Sequence, residues 1–386
     1  MIERFITDEL IELTNGYPIV TLTGPRQSGK STLLEEKFKD YEFVSLEDLD
    51  IRKRAVNDPR GFLEAYDYRI IIDEAQYAPD LFSYIQTKTD KQNTTGQYIL
   101  SGSQNFLLMD RIKQSLAGRV AILKLLPLSY RELSQDREIS LESFVFSGGY
   151  PRIYDKNLDS TRYYDNYIST YLDRDVRTLI GVNNINGFNR FLVLCAVRAG
   201  QPLNITNLSE DSGISINTIK SWLNVLESSY IIKLVYPYFA NLPKRLIKSP
   251  KLYFLDSGLL CYLLGIKSEK DMLRSNKYYG NIFESFVFSE FFKRSYNRGE
   301  NNPRLYFYRD SNGNEIDLIE EINTDFLKLF EIKSSKTMKS EYSNNLNKIA
   351  DLLKTDRVEK AVIYQGSKGS INGVDYLSAT DMLRVF

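Results

Sequence analysis

The residues from 24 to 32 have the types and the spacing of a loop that binds phosphate. Two glycines separated by four residues precede Lys30 and Ser31. Glycine lets backbone N–H groups turn inward around an anion, and a following helix directs its positive N-terminus to the same place. Lys30 would reach the terminal phosphates of ATP, and the Ser31 hydroxyl would be a ligand of Mg²⁺. The residues expected to bind the nucleotide here are Gly24, Pro25, Arg26, Gln27, Ser28, Gly29, Lys30, Ser31 and Thr32.

Two adjacent carboxylates, Asp73 and Glu74, could supply the rest of a hydrolytic site. They follow an apolar run, 70–72, that is typical of a buried parallel strand, and ligands sit at the carboxyl ends of such strands. We expect Asp73 to hold the Mg²⁺ and Glu74 to polarise the attacking water. Many core strands end in an acidic residue, so the acidic pair alone is weak evidence. It indicates a hydrolytic site because a phosphate-binding loop precedes it in the chain.

Three further positions carry polar groups that could take part in the same reaction. The strand expected at 97–101 is followed by Ser103 and Gln104, either of which could contact the γ-phosphate or the attacking water. An ordinary cap between strand and helix explains them equally well. Arg119 is a candidate arginine finger, a group typically worth about 10³–10⁵ in rate, and a structural ion pair is at least as good an explanation. Arg152 is a weaker candidate for a residue that senses the γ-phosphate.

The segments around these residues predict the elements that must position them. Apolar strands alternate with helical stretches, which is typical of an α/β domain with a parallel sheet and helices on both faces. Strands are expected at 18–23, 41–45, 69–73, 97–101 and 120–126, and helices at about 30–39, 46–67 and 79–91, the second of these broken near Pro59.

Residues 186–236 predict a helix-turn-helix with a wing. Gly213 would form the tight turn between two short helices, and a strand at 231–236 would begin the wing. The second helix would bury Ile214, Ile219, Leu223 and Leu226 and offer Ser215, Asn217, Thr218 and Lys220 to a major groove. Residues 186–251 contain eight Lys and Arg residues against three acidic ones, which favours contact with DNA. The alternative is a module that serves only for packing between domains.

Composition excludes several chemistries. The chain of 386 residues has no histidine, so a Ser-His-Asp triad, a His base and His-ligated zinc are excluded. Its formal net charge is +0, and any attraction to nucleic acid must therefore be regional. Cys195 and Cys261 lie among apolar neighbours and are expected to be buried free thiols. We find no signal-peptide pattern and no apolar run of membrane-spanning length, so we expect a soluble cytoplasmic protein without a membrane partner.

The order of these motifs resembles a large prokaryotic family of AAA-type ATPases with a C-terminal domain of unknown function. The motifs that carry the resemblance are Gly-Pro-Arg-Gln-Ser-Gly-Lys-Ser at 24–31, Ile-Asp-Glu-Ala-Gln at 72–76, Leu-Ser-Gly-Ser at 100–103, Leu-Ala-Gly-Arg at 116–119 and Gly-Gly-Tyr-Pro at 148–151. The resemblance covers nearly the whole chain. It implies an α/β ATPase core with an acidic pair after the third strand, and it implies no biological role.

The C-terminal third contains two short charged motifs, Glu-Ile-Asp at 315–317 and Glu-Ile-Lys at 331–333. The expected order of a helix at 279–293, strands at 304–309, 315–320 and 326–333, a helix at 339–353 and a strand at 360–364 resembles the PD-(D/E)XK nuclease family. That resemblance implies that Asp317 and Glu331 bind Mg²⁺, that Glu284 helps from its helix, and that Lys333 positions a hydroxide. Many members of that superfamily are inactive scaffolds, and both outcomes stay open.

The sequence therefore predicts an α/β protein with four segments. They are a P-loop ATPase domain at 1–137, a helical lid at 138–185, a winged helix at 186–250 and a nuclease-like domain at 251–386. The predicted function is Mg²⁺-dependent ATP binding and hydrolysis on or near DNA, with self-association left open. The alternative is a nucleotide-gated regulatory switch whose C-terminal modules are protein-interaction scaffolds without nuclease activity.

Overall fold

The structure is a computed structural model that describes residues 2–66, 69–92, 94–103, 112, 115–172, 185–238, 249–275, 277–310, 313–353 and 355–385. The described chain forms two compact units. The first unit contains Met1–Leu128, Ser228–Tyr230 and Lys293–Asn301, and the second unit contains Ser129–Glu227, Ile231–Phe292 and Asn302–Phe386. The division into four segments remains a prediction. No described helix is both long and apolar enough to cross a membrane.

The first unit is built on a five-stranded parallel sheet in the order β2-β3-β4-β1-β5. Its strands are β1 (Ile19–Thr23), β2 (Glu42–Ser45), β3 (Ile70–Asp73), β4 (Tyr98–Gly102) and β5 (Val120–Lys124). Its helices are α1 (Thr7–Gly16), α2 (Lys30–Lys37), α3 (Leu49–Asn57), α4 (Pro59–Ala65) and α5 (Leu81–Gln92). The α/β class and these strands were predicted, and the structure confirms them.

Alternation along the strands explains why helices cover both faces of this sheet. In β3, Ile70 and Ile72 pack with the helices α3, α4 and α5, whereas Ile71 points to the opposite face and packs with α1 and α2. All residues of β1, β3 and β4 are buried, as expected for strands in the middle of a parallel sheet. The carboxyl ends of β1, β3 and β4 therefore lie at one edge of the sheet.

Two late segments of the chain complete the first unit. The Tyr230 hydroxyl lies 2.7 Å from the hydroxyl of Thr23, which ends β1. Asn301 donates from Nδ2 to the carbonyl of Ile122 at 2.8 Å and accepts a hydrogen bond from Lys124 at 2.6 Å. These contacts are the physical reason why the first unit includes residues that the sequence assigned to later segments.

The second unit begins with short helices that surround a buried carboxylate. These are α6 (Tyr130–Asp136), α7 (Leu141–Ser147), α8 (Pro151–Asp155) and α9 (Ser160–Tyr167). Asp256 accepts hydrogen bonds from the backbone N–H of Gly149 at 2.7 Å and from the Tyr164 hydroxyl at 2.6 Å. The Gly-Gly-Tyr-Pro motif is thus held by a residue more than a hundred positions later in the chain.

Three helices and a strand pair follow, in the order that the sequence predicted. They are α10 (Ile185–Val197), α11 (Ile205–Ser212), α12 (Ile216–Ser228), β6 (Ile232–Val235) and β7 (Lys251–Phe254), with β6 and β7 antiparallel. Gly213 adopts φ of 70° between α11 and α12. Ile219, Leu223 and Leu226 are buried as predicted, and Ile214 is half-buried before the helix begins.

The C-terminal part is a six-stranded mixed sheet in the order β12-β13-β11-β10-β9-β8. Three helices lead into it, namely α13 (Ser257–Leu263), α14 (Glu269–Arg274) and α15 (Tyr279–Asn297). Its elements are β8 (Leu305–Arg309), β9 (Glu315–Asn323), β10 (Phe326–Ile332), α16 (Ser340–Leu353), β11 (Arg357–Tyr364), β12 (Gly369–Ile371), β13 (Val374–Ser378) and α17 (Ala379–Val385). The antiparallel β8–β9–β10 set and the parallel pairing of β10 with β11 confirm the predicted strands. The β12–β13 pair was not predicted.

Two glycines in the left-handed region provide a test of packing in the second unit. Gly148 has φ of 75°, and an added Cβ would lie 2.1 Å from the Tyr164 hydroxyl and 2.4 Å from Asp256 Oδ1. Gly213 has a similar φ, but nothing lies within 4 Å of its added Cβ. Gly213→Ala should cost about 1 kcal/mol of unfolding free energy from backbone strain, and Gly148→Ala should cost about 1–3 kcal/mol more from the clash. Denaturant unfolding measures both, and equal losses would contradict the packing described for Asp256.

Candidate functional site

The loop between β1 and α2 has the backbone shape that the sequence predicted. Gly24 has φ of 155°, and an added Cβ would lie 2.1 Å from the carbonyl of Leu125. Gly29 and Gln27 also have positive φ, of 94° and 59°. The loop therefore passes so close to the backbone of Leu125 that position 24 has no room for a side chain. This close approach explains the glycine at that position.

Lys30 lies inside this loop rather than in solvent. It is 6% exposed, and its ammonium donates to the carbonyls of Gly24 and Pro25 at 3.0 Å each. Burial lowers the pKa of Lys30, while the nearby carboxylates of Glu74 and Asp73 raise it. The positive charge thus sits at the centre of the loop, between the backbone and the acidic pair.

Asp73 connects three strand ends through hydrogen bonds. Its Oδ2 accepts from the Ser31 hydroxyl at 3.0 Å, and its Oδ1 accepts from the Ser101 hydroxyl. Ser31 lies in the first turn of α2, the helix after β1, while Asp73 ends β3 and Ser101 lies in β4. Ser101 was not predicted as part of the site, since only its place on the central strand brings it to Asp73.

Glu74 is held in a strained position beside Asp73. Its backbone adopts φ of 52°, which is uncommon for a residue with a side chain and is often found at functional sites. Glu74 Oε2 accepts hydrogen bonds from the Ser103 hydroxyl at 3.0 Å, from the Ser103 N–H at 3.4 Å and from the Gln76 amide. Ser103 thus contacts the Glu74 carboxylate, and its expected contact with the γ-phosphate or the attacking water stays a prediction. Gln76 was not singled out as a site residue.

Arg4 supports the loop from the opposite side. Its guanidinium is 5% exposed and donates to the carbonyl of Ser28 at 2.8 Å and to that of Leu126 at 2.6 Å. Nothing local in the sequence indicated this role, because Arg4 precedes the loop by a whole helix and strand.

The arginine candidates are placed as follows. Arg119 forms a two-contact ion pair with Asp90, in which Nη2 lies 3.0 Å from Oδ2 and Nε contacts Oδ1. Arg119 thus forms an ion pair, as its structural explanation expects, and its role as an arginine finger stays a prediction. Arg152 lies exposed at the start of α8. Gln104 lies outside the described residues.

The loop and its surroundings fit the phosphates of ATP and a Mg²⁺ ion. Position 24 has no room for a side chain, and the buried Ser28 hydroxyl has no hydrogen-bond partner among the described residues. Lys30 provides a charge that can pair with phosphate, while Ser31 and Asp73 provide the oxygen ligands that Mg²⁺ prefers.

A second polar cluster lies on the C-terminal sheet. The Lys333 ammonium is 2.6 Å from Glu331 Oε1 and 3.2 Å from Asp317 Oδ2. Asp317 also accepts from the backbone N–H of Ile332 at 2.8 Å. The three groups predicted to converge do so, because Glu331 lies in β10, Lys333 directly follows that strand, and Asp317 lies on the paired strand β9.

Glu284 reaches the same cluster from α15, but it is bound to another lysine. Lys251 in β7 is 2% exposed, and its ammonium lies 3.0 Å from Glu284 Oε1 and 2.6 Å from Glu315 Oε1. The Tyr253 hydroxyl donates to Glu284 at 2.7 Å. Lys251 was counted as a DNA-binding charge from the sequence, and Tyr253 was not considered. We call the four carboxylates of Glu284, Glu315, Asp317 and Glu331 with the ammoniums of Lys251 and Lys333 the carboxylate–lysine cluster.

Crowding of buried charge shifts the pKa values of this cluster. Burial and the neighbouring Asp317 raise the pKa of Glu331 to about 8, although Lys333 opposes the shift. Burial also raises the pKa of Glu284, with Lys251 opposing it. Within the described ranges, no group of three or more His, Cys, Asp or Glu side chains is placed so that it could hold a metal ion.

Three of the eight basic residues counted for the helix-turn-helix segment are engaged in ion pairs. Arg198 pairs with Asp211, Lys233 pairs with Glu227, and Lys251 is buried in the carboxylate–lysine cluster. Lys244, Arg245 and Lys248 lie outside the described residues. On α12, Asn217 and Lys220 are exposed, while the Ser215 hydroxyl contacts that of Thr218 at 2.8 Å.

Family models match three consecutive parts of the chain. A model described as an AAA domain matches residues 16–134. Two models described as domains of unknown function, DUF8612 and DUF4143, match residues 138–270 and 279–379.

Related proteins extend over most of the chain. The uncharacterized protein Rv2008c of Mycobacterium tuberculosis is 31% identical over 79% of this chain and 68% of its own length. The uncharacterized protein MJ1544 of Methanocaldococcus jannaschii is 23% identical over 91% of this chain and 83% of its own length. Among solved structures, the Walker-type ATPase PABY2304 of Pyrococcus abyssi has a TM-score of 0.48 at 15% identity, covering 68% of this chain and 96% of that one.

The raised pKa of Glu331 predicts how stability depends on pH. Between its ordinary value of 4.5 and the folded value of about 8, the folded protein keeps a proton that the unfolded chain releases. The unfolding free energy should therefore fall as pH rises through this range. Glu331→Gln removes the titration, so the stability of the variant relative to wild type should increase by up to a few kcal/mol from pH 5 to pH 8. Thermal or denaturant unfolding at several pH values measures it.

The exposed Glu341 offers a matched control. Glu341→Gln makes the same substitution at an exposed position and serves as the reference for Glu331→Gln at each pH. A relative stability of Glu331→Gln that stays constant from pH 5 to pH 8 would show that Glu331 is ionised throughout.

Proposed function

Because this chain belongs to a family of P-loop proteins with an AAA domain that includes the mycobacterial protein Rv2008c, we propose that it binds ATP with Mg²⁺ and hydrolyses it. The observation that carries the proposal is the meeting of Lys30, Ser31 and Asp73 at the ends of parallel strands. Ser31 and Asp73 suit a metal ion, and Lys30 suits a phosphate. Lys30 and Ser31 follow a glycine-containing loop of the kind that phosphate binding needs, and Asp73 ends a neighbouring strand.

Binding is the task of the loop and of Lys30. The loop N–H groups and the N-terminus of α2 would bind the phosphate anion. Lys30, which now donates to two loop carbonyls, would exchange them for phosphate oxygens. Ser31 and Asp73 would hold Mg²⁺, which when bound neutralises phosphate charge and stabilises the leaving group. Arg4 would act as a positioning residue, since it fixes the carbonyl of Ser28 beneath the loop.

Hydrolysis is the task of Glu74. Its carboxylate would accept a proton from the attacking water and orient it, as a general base does. Ser103 and Gln76 fix the carboxylate through Oε2, so they would act as positioning residues. The strained backbone at Glu74 fits this role, because strain persists where the surrounding contacts hold a residue in place for function.

Two substitutions should separate binding from hydrolysis. Lys30→Ala should weaken ATP binding about 10- to 100-fold, because a charge-assisted hydrogen bond to phosphate is lost. Glu74→Gln should leave the ATP affinity nearly unchanged and lower kcat by about 10²–10⁴, because it removes the base and spares the metal ligands. Equilibrium binding of a fluorescent ATP analogue and release of inorganic phosphate measure the two effects.

Matched controls lie on the same helix as the loop lysine. Lys37→Ala and Glu36→Gln change exposed residues at the end of α2 and should leave both measurements unchanged. Hydrolysis by Glu74→Gln at the wild-type rate would mean that the acidic pair has been assigned wrongly, even if the loop binds ATP.

DNA contact by α12 extends the proposal. The order of α10, α11, α12 and the antiparallel β6–β7 pair supports a winged helix, whose second helix would enter a major groove. Lys220 is exposed on α12, and Arg190 is exposed on α10. Within the described part of this segment, these two are the exposed basic residues, and we expect binding that depends strongly on salt.

The salt dependence of DNA affinity provides the test. On duplex DNA the log–log slope is about −0.9 for each phosphate that the protein neutralises. Lys220→Ala should reduce the steepness of the slope by about 0.9, and adding Lys244→Ala and Arg245→Ala should reduce it further. Lys233→Ala is the matched control, because Lys233 is already paired with Glu227 and should leave the slope unchanged. Binding that is undetectable at low salt would favour the protein-switch alternative.

The C-terminal sheet supports a nuclease-like fold more than nuclease activity. The order of α15, β8, β9, β10, α16 and β11 fits that fold, and Asp317, Glu331 and Lys333 converge on it. The proposed metal set of Glu284, Asp317 and Glu331 fits less well, because each carboxylate is already bound to a lysine. This favours a scaffold within the ATP-dependent protein.

A further inference from the structure

Lys251 is a charge buried among carboxylates at the meeting of three elements. It lies in β7, while its partners Glu284 and Glu315 lie in α15 and at the start of β9. Only 2% of its side chain is exposed. Burial lowers the pKa of Lys251, but the carboxylates of Glu284, Asp317 and Glu315 raise it by more. The ammonium therefore stays charged.

The two ammoniums are shared among the four carboxylates of the cluster. Each ammonium bridges two carboxylates, Lys251 between Glu284 and Glu315 and Lys333 between Asp317 and Glu331. All four lysine–carboxylate distances are between 2.6 and 3.2 Å. Of the oxygens in this cluster, Glu331 Oε2 is buried and has no hydrogen-bond partner among the described residues. The ammoniums of Lys251 and Lys333 therefore occupy positions that a bound cation would otherwise take among these carboxylates.

A divalent ion would need the same oxygens. Mg²⁺ takes oxygen ligands at about 2.1 Å in octahedral geometry, and an ammonium bound to a carboxylate oxygen occupies one of its directions of approach. Lysine is a compact point charge on a flexible stem, which lets it take the position of an ion. The negative charge of such a carboxylate cluster has to be compensated either by a lysine ammonium or by a metal ion, since unpaired buried charge is strongly destabilising.

We propose that the ammonium of Lys251 takes the place of a divalent cation in the carboxylate–lysine cluster, so that the protein holds these carboxylates together without a metal ion. The cluster is then a structural joint between β7, α15 and the C-terminal sheet. It carries no metal-dependent chemistry while Lys251 is present. This inference does not depend on the ATP site. It is tested by measuring whether the carboxylate–lysine cluster binds a divalent metal ion.

Titration with Mn²⁺ followed by electron paramagnetic resonance tests the proposal. We would use nucleotide-free full-length protein carrying Asp73→Asn, which removes the acidic ligand expected at the other site. With Lys251 intact, we expect no Mn²⁺ bound that depends on Glu284. Lys251→Met keeps an unbranched side chain of nearly the same length and removes its charge, and it should gain one bound Mn²⁺ per chain. Adding Glu284→Gln should remove that ion, because Glu284 is a direct partner of the Lys251 ammonium. Lys251→Arg, which keeps the charge, should gain none.

Three results would overturn the proposal. The first is Glu284-dependent binding of Mn²⁺ by the protein with Lys251 intact. The second is a folded Lys251→Met protein that gains no ion. The third is cleavage of DNA by wild type with Mg²⁺ or Mn²⁺ that Asp317→Ala abolishes. If Lys251→Met does not fold without metal, refolding with Mn²⁺ becomes the measurement. Recovery that Glu284→Gln prevents supports the proposal, and no recovery with Mn²⁺ counts against it.

Discussion

A charge that is buried away from water must be compensated within hydrogen-bond distance, and both polar sites of this protein are built on that constraint. At the nucleotide loop, Lys30 is compensated by two carbonyls and by the nearby Asp73 and Glu74. In the C-terminal part, Lys251 and Lys333 compensate four carboxylates. The two sites differ in what remains to be bound. The loop has a lysine whose partners are exchangeable carbonyls, whereas the cluster has lysines already bound to carboxylates.

The loop and its acidic pair could be predicted because their signals are local. A glycine-rich loop before a helix and an acidic end on an apolar strand each occupy a few consecutive residues. The rule that parallel strands end at one edge of a sheet then brings them together without further information. The contacts of Asp73 with Ser31 and Ser101 follow from that rule and from the place of β4 in the middle of the sheet.

The partners of the other charges could not be predicted, because they depend on long-range packing. Lys251 counts as a basic residue in any local window, yet it pairs with Glu284 and Glu315, which lie far along the chain. Arg4 likewise reaches Ser28 only after α1 has packed on the sheet. Net charge over a segment therefore gave a poor estimate of the available surface charge, since it cannot tell an exposed lysine from one that is buried and paired.

The contacts of Tyr230 and Asn301 with the first unit have a consequence for how the protein is made. A ribosome delivers the chain from its N-terminus, so all five strands of the parallel sheet emerge before either of these residues exists. During that time the Thr23 hydroxyl, next to the nucleotide loop, lacks Tyr230, and the carbonyl of Ile122 in the edge strand lacks the amide of Asn301. The ATPase-like unit therefore reaches its final set of hydrogen bonds only after residue 301 has left the ribosome. Most of the second unit has been synthesised by then, so the first unit gains these hydrogen bonds late in synthesis.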